Sequence, residues 1–223
     1  GIAVCNIRDY CTGSVAEHVF GVLLMITHSL SGFRQSVAAG EWQKAHDPFL
    51  LVHPIRELSA MTLGIVGYGA LGQGVARIAK AFGMKVVISA RPGAGDVPAD
   101  RVSFDDVLGQ ADVISLHCPL TEETRGLIDA RRISTMKPGS SIINTARGEV
   151  VDSAALVAAV EEKGIRAGLD VFENEPSGSK ADFPHTELAS RVTCTPHIGA
   201  STREAEDNCA IMVADQVRDY LEN

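Results

Sequence analysis

A doubly wound parallel sheet with helices on both faces, an α/β fold, is what this sequence predicts, and three observations predict it. Short, nearly unbroken apolar runs recur along the chain, as strands buried on both faces require. Stretches with helical apolar spacing lie between them, so strand and helix alternate. One strand-like run, Thr62-Leu63-Gly64-Ile65-Val66, passes through Gly67-Tyr68-Gly69-Ala70-Leu71-Gly72 into a helical stretch over residues 75–82.

The elements follow in order. Ile2-Ala3-Val4-Cys5 reads as a leading strand. Ser14-Val15-Ala16-Glu17 has the form of a capping box and opens a long helix, with Val15, Val19, Val22, Leu23 and Ile26 on its apolar face. Residues 40–57, broken by Pro48 and Pro54, read as loop. After the glycine turn come a second strand, Lys85-Val86-Val87-Ile88-Ser89, and a Pro/Gly-rich loop over 91–99. Further strands are Asp112-Val113-Ile114-Ser115-Leu116 and Ser140-Ser141-Ile142-Ile143-Asn144. Asp152 caps a helix running to Glu162, with Gly164 just past its end. Ala167-Gly168-Leu169-Asp170-Val171 and Arg191-Val192-Thr193-Cys194 complete the sheet, and a last helix runs from near Ser201 to about Leu221. Residues 1–223 then form one domain: a leading strand, long helix and loop over 1–60, the core over 61–200 and a C-terminal helix over 201–223.

Composition narrows the function. A hydrophobic share of 45% against 22% charged residues is that of a soluble globular domain. A net charge of −8 with no basic cluster argues against nucleic acid as a partner. Cys5, Cys11, Cys118, Cys194 and Cys209 show no CxxC or zinc spacing and read as reduced thiols in a cytoplasmic protein. No metal site is expected. No signal peptide is visible, and no apolar run approaches the roughly 20 residues of a membrane helix. The chain opens on Gly1, which reads as a piece of a longer protein.

The glycine turn carries the first functional reading. In a GxGxxG between strand and helix, Gly67 makes the tight turn, Gly69 lets the backbone approach a pyrophosphate, and Gly72 lets helix and strand pack closely. The amides of Ala70 and Leu71, at the positive end of the helix dipole, then hold the anion. This is a dinucleotide site of the Rossmann type. An NAD site places an Asp or Glu at the end of the second strand, about 20 residues on, to bond the ribose 2′-OH. Here that place reads Ser89-Ala90-Arg91, without an acid. Arg91 could pair with a 2′-phosphate and Ser89 could hydrogen-bond it, so NADP is favoured over NAD.

Three more segments lie just past predicted strands, where open parallel sheets bind ligands: Asn144-Thr145-Ala146-Arg147-Gly148, Asp170-Val171-Phe172-Glu173-Asn174-Glu175-Pro176 and Thr195-Pro196-His197-Ile198-Gly199. With Ser14-Val15-Ala16-Glu17-His18, Glu57-Leu58 and the glycine turn, they make nearly the whole chain resemble the D-isomer-specific 2-hydroxyacid dehydrogenases. The resemblance implies that Arg147 binds the substrate carboxylate and carbonyl oxygen, that His197 protonates the developing alkoxide, and that Glu175, just before Pro176, hydrogen-bonds His197. Glu173 competes with Glu175 for that pairing. Asp170 would contact the nicotinamide end of the cofactor. Cys118, Pro119, Thr145 and Ala146 would line its groove, which Arg147, His197 and Gly199 also bound.

The chemistry suits those residue types. Hydride arriving at a carbonyl carbon leaves negative charge on oxygen, and a histidine is the side chain suited to donate a proton near neutrality. A neighbouring carboxylate favours the imidazolium form. A planar guanidinium grips a carboxylate through two parallel bonds.

Gly199-Ala200-Ser201-Thr202-Arg203-Glu204-Ala205 is similar to phosphoglycerate dehydrogenases, while the glycine turn and Ala90-Arg91-Pro92 look closer to glycerate dehydrogenases and to hydroxypyruvate or glyoxylate reductases. The expected substrate is a small 2-keto or 2-hydroxy acid. The alternative is a nucleotide-sensing or corepressor-type relative on the same fold. The family's N-terminal substrate domain is absent from these residues, so cofactor binding with little turnover is expected of this stretch alone. The helix from Ser14 and the loop around Trp42 lie where relatives form a twofold dimer, and a homodimer is expected; Phe20, Leu24 and Phe33 are candidates for its interface or for the core.

Overall fold

The structure is a computed structural model that describes residues 4, 6–176 and 183–222. Of the expected leading strand, Ile2, Ala3 and Cys5 lie outside the described residues, and Val4 is in no strand. The element order is α1 (Thr12–Thr27), α2 (Leu30–Ala38), α3 (Glu41–Lys44), β1 (Thr62–Val66), α4 (Ala70–Ala81), β2 (Lys85–Ile88), α5 (Phe104–Gln110), β3 (Val113–Leu116), α6 (Ala130–Thr135), β4 (Ser141–Asn144), α7 (Ser153–Lys163), β5 (Arg166–Leu169), α8 (Thr186–Arg191), β6 (Thr193–Cys194) and α9 (Arg203–Glu222).

The strands form one parallel sheet in the order β2-β1-β3-β4-β5-β6. Neighbouring residues along a strand serve opposite faces. Ile143 of β4 joins Leu63, Ile65 and Val113 under α1 and α4, while Ile142 joins Ile114 and Leu116 in the core beneath α5 and α7. Each such fully buried Leu or Ile stabilises the fold by about 1.5–3 kcal/mol relative to exposure. Gly168 of β5 lets α1 lie close to the sheet, because a Cβ there would collide with Val22 and Ile143. The connections run out in opposite directions from β1 and β3, which leaves a crevice at the C-terminal ends of these two strands.

Several elements differ from expectation. α1 begins at Thr12, and no side chain caps it. Ser14 is the third residue of the helix, and its hydroxyl donates to the carbonyl of Gly199 at 2.5 Å. The capping-box pattern is present, but the helix begins earlier, with Cys11 at the N-cap, so Ser14 is not placed to accept from the first free amides. Arg191 closes α8 rather than opening β6, and it pairs with Glu187 at 2.7 Å and with Glu161. Part of the expected loop over 40–57 winds into the single turn of α3. The cap at Asp152 is formed, its carboxylate accepting from the Ala155 amide at 2.9 Å, with Gly164 in the left-handed region at φ 66°. Among the described residues no single helix is long and apolar enough to cross a membrane. α1, the most apolar, faces the core with Val19 and Leu23 sealed from solvent.

Candidate active site

The glycine turn sits at the crevice between β1 and β3. Gly67 takes φ 93°, a conformation open to glycine, with the Cys118 amide so close that a Cβ would lie 2.6 Å from it. A Cβ on Gly72 would strike the Gly67 carbonyl, so this glycine permits the tight strand-to-helix turn. Gly69 differs: nothing lies within 4 Å of where its Cβ would be. No side chain caps α4 there, so the first amides of the helix remain available to an anion. The groove in front of them, about 650 Å³, is lined by Gly67, Tyr68, Gly69, Ser89, Ala90 and Arg91 on one side and by His117, Cys118 and Pro119 on the other. Open space at Gly69, uncapped amides and a groove running to Arg91 fit a dinucleotide.

The wall residues refine the expectations. Ser89 lines the groove, but its hydroxyl is buried and donates to the Ala90 carbonyl at 2.6 Å. A phosphate needs that proton, so the expected bond from Ser89 to a 2′-phosphate is not set up. Arg91 is exposed at the groove mouth and lies near Glu123, whose carboxylate is held below its usual range by the Thr121 hydroxyl first and by Arg91 as well. Arg101, which sequence reasoning missed, lines the same mouth with its guanidinium 4.8 Å above the Tyr68 ring. Only the folded chain brings it there. His117 bonds Ser115 through Nε2 at 2.8 Å, and burial pushes its pKa down to about 4. Burial likewise pushes the Cys118 thiol up, keeping it neutral beside the groove. His117 Nδ1 and Thr145 Oγ1 are buried polar atoms with no hydrogen-bond partner in the protein.

The remaining site residues gather past the C-terminal ends of β4, β5 and β6, three neighbouring strands. Past β4, the buried Asn144 staples the turn: its Nδ2 donates to the Arg147 carbonyl at 2.8 Å and its Oδ1 accepts from the Ala146 amide at 3.0 Å. Arg147 is exposed, with one guanidinium nitrogen 2.6 Å from the Ala146 carbonyl. Gly148 follows because the backbone of Phe172 presses against it, leaving no space for a Cβ. Asn144 opens the segment singled out past this strand, but the sequence assigns it no role, and its part as the staple of the turn is set by the folded geometry.

Past β5 and β6, His197 Nδ1 lies 2.7 Å from Glu175 Oε2. Glu175 is itself fixed, its Oε1 accepting from the Phe172 amide at 2.9 Å. Glu173 turns away and accepts from the Ser153 amide at 3.3 Å, next to the start of α7, so the competition between the two acids resolves in geometry toward Glu175. His197 has φ 55°, a left-handed conformation uncommon outside glycine.

Asp170 holds that loop. Its Oδ1 accepts from Thr195 Oγ1 at 2.6 Å and from the Ile198 amide at 2.9 Å, and its Oδ2 accepts from the Gly199 amide at 2.8 Å. Burial alone would push this carboxyl up, but hydrogen bonds from His18, Thr195, Ile198 and Gly199 outweigh it and hold it far below the usual carboxylate range. The expected contact of Asp170 with the nicotinamide end therefore shares a carboxylate already committed to protein amides. Gly199 supports the same loop. It is buried, its N–H and C=O are spent on Asp170 and Ser14, and a Cβ on it would lie 2.9 Å from Asp170 Oδ2. Among the described residues no group of His, Cys, Asp or Glu is arranged to hold a metal ion.

A glycine turn at the sheet's switch point and a carboxylate-paired histidine across the same edge define a dinucleotide-dependent oxidoreductase domain. Comparison with known proteins gives the family. Residues 20–199 match the model of the D-isomer specific 2-hydroxyacid dehydrogenase NAD binding domain, and the chain belongs to this family. It is 39% identical to a glycerate dehydrogenase of Methylorubrum extorquens over 99% of this chain and 69% of that protein. It is 40% identical to a glyoxylate reductase of Thermococcus litoralis over 96% of this chain and 65% of that protein. A D-lactate dehydrogenase of Aquifex aeolicus, solved with NAD and lactic acid, superposes with a TM-score of 0.84 at 36% identity, covering 100% of this chain and 70% of that one. The chain is thus the NAD(P)-binding domain of an oxidoreductase acting on 2-hydroxy acids.

Proposed function

We propose that this domain serves an NADP-preferring reductase of a small 2-keto acid, hydroxypyruvate or glyoxylate, with His197 as proton donor, Glu175 as its partner and Arg147 as the substrate clamp. The observation that carries the reading is the 2.7 Å contact between His197 Nδ1 and Glu175 Oε2. A carboxylate only accepts, so the bond places a proton on Nδ1. Nε2, on the other side of the ring, then carries the proton to be given away in the imidazolium and takes one back in the reverse direction. When bound, the nicotinamide supplies or accepts the hydride. Arg147 offers guanidinium N–H groups beyond the one on Ala146 to a substrate carboxylate. Ala70 and Leu71 offer backbone amides at the α4 N-terminus to the pyrophosphate.

The NADP preference rests on two guanidiniums, Arg91 and Arg101, at the groove mouth, and on the absence of an acid at Ser89-Ala90-Arg91. Glu123 lines the same mouth but is countered by Arg91. The test is keto-acid reduction by the full-length protein with NADPH and NADH. NADPH should give the higher kcat/KM, and Arg91→Asp should reverse the order. Failure to reduce any 2-keto acid would overturn the enzymatic reading in favour of a nucleotide sensor.

The homodimer belongs to the same proposal. Phe33, Val37, Trp42, Phe49, Leu51 and Ile55 line an apolar cleft of about 300 Å³, and all but Phe33 are at least half exposed. A surface of this kind marks an interaction site. Phe20 belongs to the core instead, stacked on Phe82 with centroids 5.3 Å apart. A monomer in dilute sedimentation runs would contradict the dimer.

A further inference from the structure

α1 presents two polar side chains one turn apart, Ser14 and His18, to the loop that carries His197. Ser14 Oγ donates to the Gly199 carbonyl at 2.5 Å. His18 Nε2 lies 2.9 Å from Thr195 Oγ1 and 3.3 Å from Asp170 Oδ1. Counting protons fixes the direction of these bonds. Thr195 has one hydroxyl proton and gives it to Asp170 Oδ1 at 2.6 Å. Thr195 Oγ1 can then only accept, so His18 carries its proton on Nε2 and shares it between threonine and carboxylate. Neutral and protonated imidazole both meet this requirement, and the brace needs no titration of His18.

The segment 195–199 is thereby tied at both ends to α1. Thr195 is held through His18, Gly199 through Ser14, and Asp170 joins the two by accepting from Thr195 and from the Ile198 and Gly199 amides. His197 lies between these ties at φ 55°. A non-glycine residue in that region is strained and keeps the conformation only where its surroundings over-determine it. The imidazole must also stay aimed at Glu175, half exposed as it is.

We propose that His18 is a positioning residue for the proton donor: from α1, through Thr195 and Asp170, it holds the His197 backbone in the conformation that meets Glu175. The proposal rests on the reading of His197 as the donor, but its test does not require turnover. The variants are His18→Ala, His18→Gln, whose amide nitrogen can stand near the place of Nε2, and Ser14→Ala. The readouts at neutral pH are amide exchange at Ile198 and Gly199, and the downfield proton resonance of His197 Nδ1 bonded to Glu175.

His18→Ala should speed exchange at both amides by about tenfold or more, as expected for losing a hydrogen bond to a charged group, and should broaden the imidazole resonance. His18→Gln should restore most of both signals. Ser14→Ala should speed exchange less, and it tests the brace if His18→Ala does not fold. Unchanged exchange and an unchanged resonance in folded His18→Ala would overturn the proposal, as would a folded His18→Gln that behaves like alanine. Wild-type protein that binds neither dinucleotide would sink the functional reading while leaving these two readouts to decide the brace.

Discussion

Asp170 holds the loop of His197 through both its backbone and its side chain. The carbonyl of Asp170 accepts the His197 amide at 2.7 Å, and its carboxylate accepts the next two amides, Ile198 and Gly199, at 2.9 and 2.8 Å. Three successive N–H groups of the β6 extension thus end on one residue of the neighbouring strand's extension. A buried carboxylate supplied with donors in this way is stabilised as an anion, and each amide it accepts is also kept from being a buried orphan.

Asp170→Asn therefore has a defined cost. An amide group turns its NH₂ toward at least one of these donors and carries no charge for the others. The expected loss is about 3 kcal/mol in a denaturant titration at neutral pH. The pH dependence has a definite sign. A carboxyl depressed in the folded state contributes stability that is present above its unfolded pKa and lost as pH falls through its folded value. Asp170 is depressed, so its contribution should persist in full at neutral pH and decline only in acid below the ordinary carboxylate range. A stability equal to wild type in Asp170→Asn would contradict this account.

Gly69 and Gly72 should separate binding from folding. A methyl on Gly69 meets nothing within 4 Å, and φ −78° suits an L-residue, so Gly69→Ala should keep or slightly raise the melting temperature. It should nonetheless weaken NADPH binding by about tenfold or more, because the methyl projects into the anion's approach. Gly72→Ala drives a Cβ into the Gly67 carbonyl and should cost roughly 1–3 kcal/mol of stability. Calorimetry on both variants checks the pair. Equal NADPH affinity in wild type and Gly69→Ala would contradict the placement of the pyrophosphate.

His117 should make the domain sensitive to mild acid. Its pKa is pushed from 6.5 down to about 4 by burial. Between these values the unfolded chain binds the proton and the folded chain does not, so stability is lost as pH falls from neutrality. The loss attributable to this group at pH 5 is about 2 kcal/mol. His117→Gln should remove that part of the difference between pH 7 and pH 5 in urea unfolding. An unaltered pH dependence in the variant would contradict a neutral, buried His117.

Much of this arrangement was legible in the residues themselves. The strands announced themselves because a parallel sheet buried on both faces demands unbroken apolar runs, and the glycine turn because its three glycines each meet a separate steric need. Asp152 capped as expected, its bond being local. Local pattern misled at Ser14, because the helix starts two residues earlier, at Thr12, and the hydroxyl donates instead to a carbonyl from the far end of the chain. α5, α6 and α8 are too short to display a helical period. The roles of His18, Arg101 and Asn144 depend on partners that the fold supplies. For Glu173 against Glu175, the resemblance pointed to the acid before Pro176, and the turn after β5 agrees, pointing Glu173 at Ser153 and Glu175 at His197.

The central claim is that His197, held against Glu175, donates the proton to the substrate oxygen. The most direct measurement is kcat for hydroxypyruvate reduction by the full-length protein and by its His197→Gln variant, with NADPH affinity measured alongside. The account predicts a kcat lowered by about a hundredfold to ten-thousandfold with NADPH affinity little changed, since general acid catalysis is lost while the groove stays intact. A kcat close to that of the wild type would contradict it.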